Sequence, residues 1–285
     1  MSRALLAYNT NGFAHHRLRD AIVILSELDY RGVALTLDVH HLDPYSPRHE
    51  VECQEIRRLL ADRGMACVIE TGARFLLNPR RKHYPSLLCN QAAAAKRLDF
   101  YYRAIDTAAA IGATTIALWS GHDFDGVGAD EGMDRLVRGL EMVLRRAEDV
   151  GIDVAFEPEP GMFVESLPQY DVLRARIDSE RFGLALDLGH ILVTQECEPA
   201  EAVRRYRADL LTVTIEDMKR GIHRHLPFGE GDMEVGPILL ALEEIGYRGL
   251  LIVELSRESA EAPTQAARAM HYLANVGKNL GWADS

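Results

Sequence analysis

Short runs rich in Val, Ile, Leu and Thr alternate along the whole chain with longer segments whose apolar residues recur at helical spacing. Eight such pairs can be drawn. Their strands are predicted at Ala4 to Asn9, Gly32 to Leu37, Ala66 to Thr71, Thr115 to Ser120, Asp153 to Pro158, Gly183 to Gly189, Leu210 to Asp217 and Leu250 to Leu255. Most of these runs lack polar alternation, as parallel strands buried on both faces do. The segment Met133 to Val150 shows the helical half of the pattern. Leu136, Val137, Leu140, Val143, Leu144 and Ala147 fall on one side, and Arg135, Arg138, Glu141, Arg145, Arg146 and Glu148 take much of the other. Several helices are predicted to stop at a glycine leading into the next strand, at Arg63-Gly64, Ile111-Gly112, Val150-Gly151 and Ile245-Gly246.

Eight parallel strands joined by right-handed helical crossovers close into a (β/α)₈ TIM barrel, with an open doubly wound sheet as the alternative. No composition break or Pro/Gly/Ser-rich linker interrupts residues 1–285, so a single domain is expected. Composition changes the picture only by exclusion. With 47% apolar and 26% charged residues the chain reads as an ordinary globular protein, and no apolar run reaches the roughly 20 residues of a spanning helix. The net charge of −11, with no Lys/Arg stripe, argues against nucleic acid as a partner. Cys53, Cys67, Cys89 and Cys197 show no Cys-x-x-Cys spacing, and the amino terminus suits a first strand better than a secretory signal, so a cytoplasmic protein is expected.

In a barrel of this kind chemistry is expected where strands end. The fifth predicted strand leads into Glu157-Pro158-Glu159, the sixth into Asp187-Leu188-Gly189-His190, and the eighth into Glu254-Leu255-Ser256-Arg257. An acid inside so apolar a run requires a cation or hydrogen-bond donors, because burying a lone charge is very costly. After the seventh strand, His223 and His225 are separated by one residue and point the same way in extended chain. Glu157, Asp187 and Glu254, joined by one or more of His190, His223 and His225, make a mixed oxygen and nitrogen set suited to Mn²⁺, Zn²⁺, Co²⁺ or Mg²⁺. A buried carboxylate network without metal is the competing reading.

These residues resemble the xylose isomerase-like barrels, a superfamily of sugar isomerases and epimerases that also includes endonuclease IV. The resemblance rests on Glu157, the Asp187-x-x-His190 pair, Pro227-Phe228-Gly229-Glu230-Gly231-Asp232, and Gly246-Tyr247-Arg248-Gly249 leading to Glu254. It implies that Glu157, Asp187 and Glu254 bind the metal, and that Glu157 and Glu254 also exchange the substrate proton. The family's strand-seven histidine is Thr214 here, and His225 is the first candidate to take its place, since His223-Arg224-His225 resembles a metal-binding segment of endonuclease IV. A homodimer or homotetramer is expected by the same resemblance.

The chemistry expected of such a site is isomerisation or epimerisation of a sugar, keto-sugar or keto-inositol. A divalent ion acts as Lewis acid and two glutamates move a carbon-bound proton through an enediolate. Metal-dependent dehydration fits the same ligands, and a non-catalytic barrel with a decayed site is the competing class. Trp119, His122, Glu159, His190, Arg220 and Arg257 are expected to contact a small polyhydroxylated substrate. The basic stretch Arg80-Arg81-Lys82 in the long loop after the third strand is a further candidate, as a lid or anion clamp.

Overall fold

The computed structural model describes residues 4–280. Strands β1 (Leu5–Asn9), β2 (Gly32–Thr36), β3 (Ala66–Glu70), β4 (Thr115–Trp119), β5 (Asp153–Glu157), β6 (Phe182–Asp187), β7 (Leu210–Ile215) and β10 (Leu250–Val253) form a closed barrel in the cyclic order β1-β10-β7-β6-β5-β4-β3-β2, and every pair is parallel. All eight predicted strands are present, and the open sheet is excluded by the pairing of β1 with both β2 and β10.

One expectation is corrected. The seventh predicted strand does not run on to Asp217. It stops at Ile215, and the chain then forms an antiparallel hairpin of β8 (Asp217–Lys219) and β9 (Ile222–Leu226), turning at Gly221 with φ of 73°. That positive φ is why a glycine occupies the turn.

The helices wrap the barrel and bury an amphipathic face against it. In α4 (Ala129–Val150), preceded by α1 (Leu18–Glu27), α2 (His49–Asp62) and α3 (Gln91–Ile111), the buried positions include Leu136, Leu140, Val143 and Leu144. Both α3 and α4 end at a left-handed glycine, Gly112 and Gly151, that caps the last turn and redirects the chain into the next strand. The remaining helices are α5 (Leu167–Arg174), α6 (Leu188–Thr194), α7 (Pro199–Arg205), α8 (Val235–Glu244) and α9 (Ala262–Asn279).

The apolar interior is split by the strands. Outward-facing residues such as Val33, Leu35, Val154, Phe156, Val213 and Ile215 pack with the helices in one large core. Inward-facing residues are small. Ala7, Ala34, Val68, Leu250 and Ile252 form one cluster, and Ala117, Ala155 and Ala185 another. Two residues further along each strand the inward position turns polar or amphipathic: Asn9, Thr36, Glu70, Trp119, Glu157, Asp187 and Glu254. This change of character converts a packed barrel interior into a site at its carboxyl end.

Candidate active site

All seven of those residues line one cavity of about 500 Å³, together with Glu159, His190, His223, His225, Arg74, Lys82, His83, Ser256 and Arg257 among others. The strands deliver the floor, the α6 amino terminus delivers His190, and the β8–β9 hairpin folds over to deliver His223 and His225. Alternation along β9 makes those two histidines neighbours on one face, with ring centroids 5.9 Å apart.

His190 lies at the centre. Its Nδ1 faces the Pro158 carbonyl at 3.2 Å, which fixes the proton on Nδ1 and leaves Nε2 as a lone pair. Burial holds the ring pKa down to about 4 despite Asp187, so the imidazole is neutral. Nε2 is 3.6 Å from Asp187 Oδ2 and 3.8 Å from Glu159 Oε2, while Glu157 Oε1 is 3.6 Å from Nδ1. Asp187 Oδ1 accepts the His190 backbone N–H at 3.0 Å, turning the second oxygen inward. Both His190 Nε2 and Asp187 Oδ2 are buried and lack a conventional hydrogen-bond partner among the described residues.

That pair fits a divalent cation. Ligand atoms about 2.1 Å from a common ion stand roughly 3 to 3.5 Å apart, close to the separation seen. Two groups of donors lie with their ligand atoms within 4.8 Å of one another, Glu157/Asp187/His190 and His190/His223/His225, and they share His190. Glu254 faces the same cavity but stands apart from both groups. Its Oε1 accepts from Asn11 Nδ2 at 2.8 Å and its Oε2 from Asn9 Nδ2 at 3.1 Å. Thr36 in turn donates to Asn9 Oδ1 at 2.8 Å, which fixes the orientation of that amide.

The acids compress one another. Burial drives Glu157 well above its usual pKa, reinforced by Glu159, Asp187, Glu70 and Glu254; Glu70 is raised likewise, and Glu159 is pushed up to about 8. Burial alone would raise Asp187 too, but the neighbouring His190 and His225 rings and the His190 N–H more than offset it and hold it low. Glu216, fully buried between β7 and β8, is driven well above the ordinary range by burial and by Asp187 and Glu254. It is therefore protonated, beside the ionised Asp187.

A family model described as the xylose isomerase-like TIM barrel matches residues 22–276. The chain belongs to that family. An inosose dehydratase of Lacticaseibacillus casei is 29% identical over 163 residues, 50% of this chain and 54% of the relative, so the chain spans about half the length of that curated relative. The L-ribulose-5-phosphate 3-epimerase UlaE of Shigella flexneri serotype 5b is 26% identical over 200 residues, 69% of each chain. The crystal structure of an IolI protein with a bound zinc atom superposes with a TM-score of 0.78 at 16% identity, covering 96% of this chain and 98% of the other, a likeness of fold.

Within this xylose isomerase-like barrel, Glu157, Asp187, His190, His223, His225 and Glu254 meet at one mouth, as do Trp119, Glu159 and Arg257. Two expected substrate contacts are not brought there. The Arg220 guanidinium is held by Glu198 at 2.9 and 3.0 Å on the outer side of the hairpin, and the exposed His122 ring packs against Phe124 at 5.5 Å. In the third loop, Arg81 stacks over Tyr84 and Phe124 at 4.2 and 4.8 Å, and of the three basic residues Arg80, Arg81 and Lys82 the cavity wall includes Lys82. Reasoning from conspicuous strand ends missed Asn9, Asn11, Thr36, Glu70 and Glu216. Counting two residues on from the small interior residues of each strand finds Asn9, Thr36 and Glu70, and the same count from Thr212 and Thr214 finds Glu216.

Proposed function

We propose that this chain is a divalent-metal-dependent isomerase or epimerase acting on a sugar, keto-sugar or keto-inositol. The observation that carries the reading is the pair of buried, unpartnered atoms His190 Nε2 and Asp187 Oδ2, 3.6 Å apart beside Glu157. Asp187, His190 and Glu157 would hold the ion, with His223 and His225 taking the place that Thr214 leaves without an imidazole. When bound, Mn²⁺, Zn²⁺, Co²⁺ or Mg²⁺ supplies Lewis acidity toward a carbonyl and its neighbouring hydroxyl.

The protein's own part is proton transfer. Glu157 at the end of β5 and Glu254 just after β10 enter the cavity from strands three places apart around the barrel, so a planar enediolate between them presents one face to each. One carboxylate removes the carbon-bound proton and the other returns one. Asn9 and Asn11 fix the Glu254 carboxylate in place through both oxygens. Trp119, in the cavity wall, offers an aromatic face to the carbon skeleton of the sugar.

Dehydration is the second reading, favoured by Glu159. Its pKa of about 8 makes it a proton donor to a departing hydroxyl at neutral pH, and one curated relative is named a dehydratase. Metal analysis followed by a solvent-deuterium exchange screen over ketoses and keto-inositols tests both. Exchange without loss of water is expected, and E157Q and E254Q should each lower it by roughly 10²- to 10⁴-fold while leaving the melting temperature near wild type. Loss of water from an inosose would favour dehydration. Full exchange in E254Q would refute the role given to that residue.

A further inference from the structure

The cavity is polar in the sense of having two ends. Its floor holds the acids and imidazoles, whereas Arg74 and Lys82 from the β3–α3 loop and Arg257 from the segment after β10 stand in its wall. Unlike Arg181, paired with Asp153, and Arg220, paired with Glu198, none of these three makes an ion pair among the described residues. Unpaired arginines on an open surface are ordinary; three cations facing one cavity are not. They act on one another, since partial burial and the charges of Arg74 and Arg257 all disfavour the Lys82 ammonium, with Glu159 the single carboxylate opposing them. In a protein of net charge −11 such a concentration of positive charge needs a counterpart.

The loop that carries two of the three is built to hold them. Ala73 and His83 both adopt left-handed backbone, with φ of 53° and 62°, a strained conformation for residues with a side chain. The His83 N–H donates to the Arg74 carbonyl at 2.7 Å and its Nδ1 bonds the Gly72 carbonyl at 2.8 Å, closing the loop on itself. Arg74 Nη2 donates to the Asn11 carbonyl at 3.2 Å, and the Asn11 side chain holds Glu254. The cationic wall is thereby tied to the reacting end of the cavity.

We infer that Arg74, Lys82 and Arg257 form an anion subsite, and that the substrate carries a phosphoryl or carboxyl group at the end remote from its reacting carbons. The assignment of a reacting end rests on the proton-transfer reading above; the anion subsite itself rests on the three cations. An arginine fork binds either group through two parallel hydrogen bonds, and a lysine adds a point charge. The floor, with Glu70, Glu157, Glu159, Asp187 and Glu254, offers an anion no lysine or arginine of its own, so the cationic wall and the floor are chemically distinct.

Calorimetric titration of the protein as purified with inorganic phosphate is the direct test, run on wild type and on the R74Q/K82Q double variant, with metal content and melting temperature measured for both. Phosphate is expected to bind the double variant at least tenfold more weakly at equal metal content. Equal binding in the two proteins, or no binding to wild type, overturns the inference, because phosphate held by a metal would not depend on Arg74 and Lys82. Deuterium exchange into a free ketopentose, its 5-phosphate and a ketouronate then separates the sources. The phosphate ester, the uronate or both should exceed the neutral sugar in kcat/KM by at least tenfold, an advantage lost in R257Q, and a neutral sugar turned over equally well overturns it. Absence of exchange in all three sugars would defeat the proton-transfer reading, and the phosphate titration would still decide for or against the subsite.

Discussion

At the scale of single residues, the site depends on who carries a proton. Glu216 is fully buried, its slot is so close that a methyl group added at Gly189 would collide with its Oε1, and burial beside Asp187 keeps its carboxyl protonated. A neutral group of this shape is what the position requires, and a charge is not. E216Q keeps a neutral group of the same shape and should stay within about 1 kcal/mol of wild-type stability, whereas E216A leaves a cavity beside Asp187 and should cost roughly 2 to 3 kcal/mol. Metal affinity should follow the same order, with E216A losing on the order of 10- to 100-fold as supporting groups around metal ligands do. Thermal melts and metal titration of the two variants check this; equal behaviour of E216Q and E216A would mean that the side chain beside Asp187 has no influence. Glu216 was hard to see in the sequence because it looks like one more polar residue in Glu216-Asp217 at a strand end. Only the alternation through Thr212 and Thr214 directs it inward.

Among the elements, the β3–α3 loop is anchored by a residue of α3 that nothing in the hydropathy pattern marks out. Arg97 is completely buried and has no carboxylate partner among the described residues; its guanidinium donates to the carbonyls of Pro85 at 2.7 Å, His83 at 2.9 Å and Thr71 at 3.3 Å, and lies 5.1 Å from the Trp119 ring. Replacing it by Met fills much of the volume yet leaves three buried carbonyls unsatisfied, which should cost at least about 3 kcal/mol, equivalent to a melting temperature lower by roughly 6 to 12 °C. R97K should fail to rescue, because a single ammonium cannot reproduce the planar fork that reaches three separate acceptors. Recovery of wild-type stability in R97K would show that charge, not geometry, holds the loop. The strands and their helices were legible because each repeats a local rule, small residues inside and an amphipathic helix outside. Loop residues obey no such rule. Arg220 and His122 sit close to strand ends in sequence, but Glu198, 22 residues away, and the local loop geometry that turns His122 onto Phe124 take them away from the mouth. The β8–β9 hairpin was hidden for a related reason, since its first strand follows β7 after one residue and the two read as a continuous run.

For the whole molecule, the crowding of acids at the carboxyl end of the barrel sets a dependence of stability on pH that a cation should cancel. Glu159, raised to about 8, and Glu157 and Glu70, raised well above their ordinary values, hold protons in the folded protein at pH values where the unfolded chain has released them. Their contribution is therefore lost as pH rises from the ordinary glutamate range through the folded values. His190 and His83, both lowered to about 4, act in the opposite sense: the unfolded chain binds more protons between about 4 and 6.5, so stability rises with pH across that interval and their effect is complete above it. From pH 6.5 to about 8 the acids act without that opposition. Protein stripped of metal by a chelator should become less stable across this window, by up to about 2 kcal/mol for a single carboxylate shifted through its whole width. A divalent cation binds the ionised carboxylates and not the protonated ones, so saturating Mn²⁺ should raise the melting temperature more at pH 8 than at pH 6.5. Melting curves with and without metal at the two pH values decide the matter. A stabilisation by Mn²⁺ that is equal at both would mean that the ion does not displace protons from these acids, and that it is held somewhere other than the mouth where Glu157, Asp187 and His190 converge.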